Sequence, residues 1–302
     1  MVAIGTLVWL FAKVPLDELR AALDRAPMVA FVAYSAIYVP LVLLADTLAT
    51  WATFRSSLPD SGLTYRETLD IRGASYLLAL LHYGAGQGGI AWFVSRRHGV
   101  PLARAAGAVM LIMGVNVVVV ALTALVGVLL GGAPEAPALR WLVLGMALAF
   151  PAYLAVIAAR PAFLRKIRLL TPLFDAGLRG HAVAVLARLP HIAWLVVAQY
   201  FAMRFFDITP PFSKALTLLP IVFVVAVLPI SPAGLGTAQA TAVALFSEYA
   251  PPPGDQDAQR ATVLACFLAF QVLALLVQAL VGLVFLRRLT RAGIVEKEGN
   301  IP

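Results

Sequence analysis

The sequence predicts an all-α, polytopic membrane protein with an inverted repeat and two re-entrant helical hairpins. Three observations carry that prediction. Apolar side chains make up 62% of the 302 residues and charged ones only 13%, where soluble domains carry about 25%. Several apolar runs reach twenty residues or more, the length that crosses a hydrocarbon core about 30 Å thick. Two of those runs are broken by glycine and proline at mirrored places in the chain. A β-barrel would need runs of about ten residues with alternating polarity, and the sequence has none.

The apolar stretches fall at 1–12, 27–53, 73–95, 103–131, 139–159, 190–206, 215–249 and 261–286. The first lacks a basic leader region and a small-residue cleavage site, so it reads as a short span rather than a signal peptide. After it, Leu16, Leu19 and Leu23 recur at helical spacing among Asp17, Glu18, Arg20, Asp24 and Arg25, the pattern of a short interfacial helix. Between Pro161 and Pro190, Arg165, Lys166 and Arg168 mix with Phe163, Leu164 and Ile167. That stretch reads as a cytoplasmic interfacial connector drawn to anionic lipid. The chain is expected to be one integral membrane domain, 1–302, with a first repeat over about 1–131 and a second over about 139–288.

The run at 73–95 is interrupted by Gly84-Ala85-Gly86-Gln87-Gly88-Gly89, and the run at 215–249 by Pro229-Ile230-Ser231-Pro232-Ala233-Gly234-Leu235-Gly236. Glycine and proline at this density stop helices. A helix stopped at membrane depth frees backbone polar groups, which is tolerated only inside protein or against a wet cavity. If both segments enter and leave on one side, Lys13, Arg20, Arg25, Arg140, Arg204, Lys214 and Arg260 lie outside, and the other 16 of the 23 basic residues lie inside. That bias puts both termini in the cytoplasm. It also makes the two hairpins enter from opposite faces, as in transporters built from inverted repeats.

The polar residues inside the spans are the candidate site. Gln87 lies in the first break with Asn116 in the next span, and Gln239 follows the second break with Gln271 in the next span. Each amide pair is expected to hydrogen-bond across its helices, either as helix glue worth about 0.6 kcal/mol or in contact with substrate. Gly84, Gly86, Ser231, Pro232, Gly234 and Gly236 complete the substrate-binding set, because N–H groups at helix starts attract anionic groups; tight packing through small residues is the competing reading. Asp46, and Arg204 with Asp207, are read as charges near the membrane faces, where snorkelling is cheap. His82, just before the first break, reads as a hydrogen-bonded structural residue.

Other chemistry is excluded or unsupported. The basic excess of +8 sits in loops between spans, so it reports topology rather than nucleic-acid binding. Cys266 is the single cysteine, which rules out an internal disulfide or a CxxC metal site. No nucleophile–base spacing or metal-ligand set lies within the spans, so neither an enzyme nor a cofactor or metal is expected.

The segment LeuProIleSerProAlaGlyLeuGlyThrAlaGln, 228–239, resembles a known family, as does Gly86-Gln87 followed by SerArgArgHisGlyValProLeuAlaArgAla at 95–105. The chain is similar to the transmembrane region of lysylphosphatidylglycerol synthases, a flippase-like family that also includes dolichol-phosphate-glucose-synthase-like membrane proteins. The resemblance implies a second motif Pro-x-Ser-Pro-Gly-Gly-Leu-Gly with a following glutamate, and the sequence departs from it. Gln87 and Gln239 stand where glutamate is usual, Asn116 where aspartate is, and Ile90, Met113 and Gln271 where arginines are common. The family's charged network is thus expected to be replaced by amides, for a less ionic cargo. The chain ends without the synthases' soluble aminoacyl-transferase domain, so lysyl transfer is not expected. The function implied is a lipid translocase that moves a phospholipid, glycolipid or polyisoprenoid-type lipid across a bacterial-type cytoplasmic membrane, at a site between the hairpins. The alternative is a non-transporting anchor for a lipid-modifying or glycosyl-transferring enzyme. Membrane lipids are the expected partners, with a second copy of the chain or a membrane enzyme as protein partner.

Overall fold

Every regular element among the described residues is helix; the computed structural model describes residues 14–132, 134, 137–228 and 234–291. The expected first span at 1–12 lies outside them, and so do Ser231 and Pro232. The elements are α1 (Leu16–Arg25), α2 (Met28–Ser57), α3 (Tyr65–Leu81), α4 (Tyr83–His98), α5 (Leu102–Gly127), α6 (Pro137–Ala159), α7 (Ala162–Arg165), α8 (Thr171–Arg204), α9 (Phe212–Val227), α10 (Thr237–Phe246) and α11 (Gln256–Arg291). Five of them, α2, α5 with its extension to Gly132, α6, α8 and α11, are long and apolar enough to cross a membrane. The protein is an all-α, multi-pass membrane protein.

Local chemistry sets the boundaries. Thr64 and Glu67 open α3 with reciprocal side-chain to backbone hydrogen bonds of 3.2 and 3.1 Å, which satisfy two donors that a helix start otherwise leaves free. Gly99, at φ +64°, ends α4, in the left-handed conformation that glycine adopts without strain. Within α2, the hydroxyls of Ser35, Thr47 and Thr53 donate to the carbonyls four residues earlier, so these polar groups stay paired inside an apolar helix. Within the stretch 161–190, α7 forms a single turn, and from Thr171 the chain runs in α8, which bends at Gly177 and continues to Arg204. Thr171-Pro172 suits a helix start, and exposed charges continue past it at Asp175 and Arg179.

The chain forms two compact units. One comprises Met1–Val39, Val120–Gly145 and Ala193–Val277; the other comprises Pro40–Val119, Met146–Ile192 and Gln278–Pro302. In the first, Phe31, Met203, Phe206, Leu219, Phe246, Cys266 and Phe270 form the core, with Phe31 edge-on to Phe206 at 5.2 Å and Phe246 stacked on Phe267 at 5.9 Å. Helix α1 joins it through Leu19, Ala22 and Leu23, and Leu16 points away. In the second, Phe54, Ile71, Ile90, Val94, Val109, Ile112 and Leu289 are packed together. Lipid tails are as apolar as these side chains, so close packing rather than hydrophobic burial holds such helices together. Glycines mark the closest approaches: a Cβ on Gly282 would lie 2.7 Å from Leu77.

Each unit contains one helical hairpin. In the second unit α3 and α4 run antiparallel, with Glu67 and Arg97 paired at 3.3 Å at the open end and Ala79 against Gly86 near the tip. In the first unit α9 and α10 pair likewise. Thr209 N–H donates to the Tyr249 carbonyl at 3.0 Å at the open end, and Gly234 lies against Ala226 near the tip. The tip itself, 229–233, falls outside the described residues.

Candidate functional site

The first hairpin breaks at one residue, His82, and not at the glycines. His82 alone is extended, at φ −166° and ψ 136°, and its Nδ1 accepts from Gly84 N–H at 3.0 Å. The run Gly84–Gly89 then continues as helix within α4. Packing explains why glycine's weak helix propensity loses here. A Cβ on Gly86 would sit 2.8 Å from that of Ala79, and one on Gly89 would collide with Leu78, whereas Gly88 has nothing within 4 Å. Gly86 and Gly89 are thus where the hairpin arms touch, and His82 caps the helix that follows, as the structural reading of this histidine expected.

The second break keeps its amide. Gly236, at φ +87°, precedes α10 and donates its N–H to Gln239 Oε1 at 2.7 Å. Gln239 Nε2 donates in turn to Gln271 Oε1 at 2.8 Å. The expected Gln239–Gln271 bond therefore forms, and the same buried amide also caps the helix start. One N–H at each helix start, that of Gly84 and that of Gly236, is taken by a side chain of the chain itself.

The Gln87–Asn116 pairing does not form; Gln87 has a different partner. Arg72 Nη1 donates to Gln87 Oε1 at 3.5 Å. Arg72 also donates through Nε and Nη2 to Asp46 Oδ2, and Arg188 donates through Nη1 to Asp46 Oδ1. Arg188 Nη1 lies 3.2 Å from His191 Nδ1. Arginine has no acceptor, so His191 accepts there and is neutral, with its proton on Nε2. Asp46 and Arg188 are 2% and 1% exposed, and Arg72, Gln87 and His191 are buried with them. Helices α2, α3, α4 and α8 thus converge on one carboxylate.

This cluster corrects two expectations. Asp46 does not snorkel to a membrane face: it is 11 residues from the end of α2 at Ser57, about 16 Å along the axis. Arg72 and Arg188 are not loop residues, because α3 starts seven positions before Arg72 and Arg188 sits midway along α8. A charged cluster is present nonetheless, built from other positions than those at which the resemblance implied one. A partner for Asp46 was findable from sequence, since a carboxylate in an apolar span demands one; which arginines supply it was not.

Charges cost most where they are unbalanced. One carboxylate against two guanidiniums and a neutral histidine leaves the cluster at +1. Arg188 Nε and Nη2 have no hydrogen-bond partner, and neither does the buried Thr50 Oγ1, one turn along α2 from Asp46. Nearby in the same unit, His181 Nδ1 meets the Gly177 carbonyl at 2.7 Å, so it must carry the proton, and the Tyr153 hydroxyl donates to Nε2 at 2.6 Å. That pair is fully satisfied and braces the bend in α8. Arg204 does not pair with Asp207 but donates to the Tyr200 hydroxyl and lies over its ring. Among the described residues, no group of three or more His, Cys, Asp or Glu is placed to hold a metal ion.

Comparison with known proteins gives the family. Residues 1–282 match the model of the lysylphosphatidylglycerol synthase TM region. No curated protein matches the chain. With 282 of the 302 residues matched, the chain belongs to the lysylphosphatidylglycerol synthase transmembrane-region family.

Proposed function

We propose that the protein is a lipid translocase of the cytoplasmic membrane that moves a phospholipid, glycolipid or polyisoprenoid-type lipid, with no catalytic step of its own. The observation that carries this reading is the Asp46–Arg72–Arg188 cluster, buried within apolar helices and left with a net charge. Intramembrane charges are expensive, and where they persist they mark substrate or ion paths. A purely structural bridge would close its charge and satisfy its donors. Family membership supports a lipid-related role. Hairpin arms of 17 and 16 residues in α3 and α4, about 25 Å each, are short for a core of about 30 Å, which supports re-entrant placement of the first hairpin. α9 and α10, of 16 and 10 residues, support the same for the second.

Reconstitution of the purified chain into liposomes carrying labelled phospholipid, glycolipid or polyprenyl phosphate tests the reading. Faster movement between leaflets for at least one class is the expected result. No acceleration for any of the three, from protein that is folded and inserted, would overturn it. The alternative role, an anchor for a membrane enzyme, is favoured by α6 alone: it is the least buried of the five spans, with Trp141 and Leu148 both exposed. That reading expects a stable complex with the enzyme and no lipid movement.

A further inference from the structure

The nitrogens that Arg188 leaves unpaired are not an arbitrary pair. Nε and Nη2 form one edge of the guanidinium, and their N–H bonds point the same way, matching two oxygens of a phosphate or carboxylate. Asp46 and His191 occupy the other terminal nitrogen, so the side chain is fixed at one end with its two-pronged edge free. Arg72, by contrast, uses that same edge on Asp46 and its remaining nitrogen on Gln87. The two arginines are not equivalent: one is consumed by the protein, and one is held open.

Three further features agree. The charge of +1 is what a single monoanion closes. The unpaired Thr50 hydroxyl is on α2 one turn from Asp46, and the antiparallel contacts Asp46–Arg188 and Ser56–Gly180 put that turn of α2 level with the turn of α8 that precedes Arg188. Asp46 is the only carboxylate bonded to the cluster among the described residues, so nothing anionic is left over to take the free edge.

We propose that the Nε–Nη2 edge of Arg188, with the Thr50 hydroxyl beside it, binds the phosphate oxyanion of a lipid headgroup whose net charge is negative. The proposal rests on the translocase reading for the delivery of the anion, because Arg188 is enclosed and α8 must part from α2 or α3 to admit it. It reverses the expectation of a less ionic cargo. A zwitterionic headgroup brings its own cation and leaves the +1 uncompensated, and a cationic headgroup adds to it.

Binding and movement are measured separately on the full chain. In detergent, phosphatidylglycerol should raise the Tm of the wild type, while phosphatidylcholine at equal concentration should not. Arg188→Met, which closes the charge to zero, should be at least as stable as wild type without lipid and should lose the response to phosphatidylglycerol. Arg188→Lys keeps the charge but not the two-pronged edge, and it should bind about tenfold more weakly; it serves as the test if Arg188→Met fails to fold. An Arg188→Met or Arg188→Lys protein that responds to phosphatidylglycerol as wild type does overturns the site, and so does equal stabilisation of wild type by phosphatidylcholine. If inorganic phosphate reproduces the shift and Arg188→Met abolishes it, the oxyanion site stands and its source is soluble. Arg188-dependent binding without movement in liposomes keeps the site and overturns the translocase reading. Movement of lipids without regard to headgroup charge, unchanged in Arg188→Met, does the reverse.

Discussion

Replacing Asp46 by alanine would leave two guanidiniums side by side in an apolar interior, and removing one partner of a buried pair typically costs about 3–5 kcal/mol. Asp46→Ala should therefore lower the Tm more than Arg72→Met does, and Arg188→Met should leave it unchanged or raise it, as measured by thermal unfolding in detergent. Equal losses for Asp46→Ala and Arg188→Met would mean that both residues are bracing. At Gly234 the backbone is at φ +73°, and an added Cβ would lie 2.7 Å from the Ala226 carbonyl oxygen, so Gly234→Ala combines strain with a clash and should cost on the order of 1–3 kcal/mol. The residue scale is also where sequence reading split. Gln239 and Gln271 were legible because amides in apolar spans seek each other. Arg72 and Arg188 were not, because a charge tally assigns every basic residue near a span's edge to a loop. The clue for Arg72 lay in Thr64 and Glu67, whose capping pair starts the helix seven residues ahead of it.

At the scale of the elements, the first hairpin makes a sharper case. Its glycines were legible as important, and their job was not. Gly86 and Gly89 let α3 and α4 touch, and the chain turns at His82 instead. Gly86→Leu should separate the arms and destabilise the protein, typically by 1–3 kcal/mol for overpacking. Gly88→Ala, in open space within a helix, should stabilise it by about 0.5–1 kcal/mol. Both are read by thermal unfolding, and a loss from Gly88→Ala would mean that its open face is occupied in the membrane. His82→Ala removes the cap on α4 and should cost about 0.5–2 kcal/mol. Hydropathy alone could not locate the turn, since a histidine capping a glycine-rich helix looks the same in sequence as a glycine turn.

For the whole molecule, hydropathy and run length were enough to read the multi-pass helical fold, and the family match over residues 1–282 agrees with the resemblance carried by Gly86-Gln87, 95–105 and 228–239. Moving Arg72 and Arg188 out of the loops leaves fourteen basic residues inside against seven outside, so the positive-inside bias keeps its sign. In a Cys266→Ala background, a cysteine at the exposed Asp60 should be labelled only from the cytoplasmic side and one at Gln256 only from the other side. Labelling of both from one side would rule out the proposed orientation. Asp46 and Arg72 already balance in charge, which makes the surplus at Arg188 informative. The most direct measurement compares wild type and Arg188→Met in liposomes of the same composition, following labelled phosphatidylglycerol from one leaflet to the other. Rapid movement with wild type and movement near the protein-free rate with the folded variant is the expected result. Equal rates for the two proteins would overturn the role of Arg188.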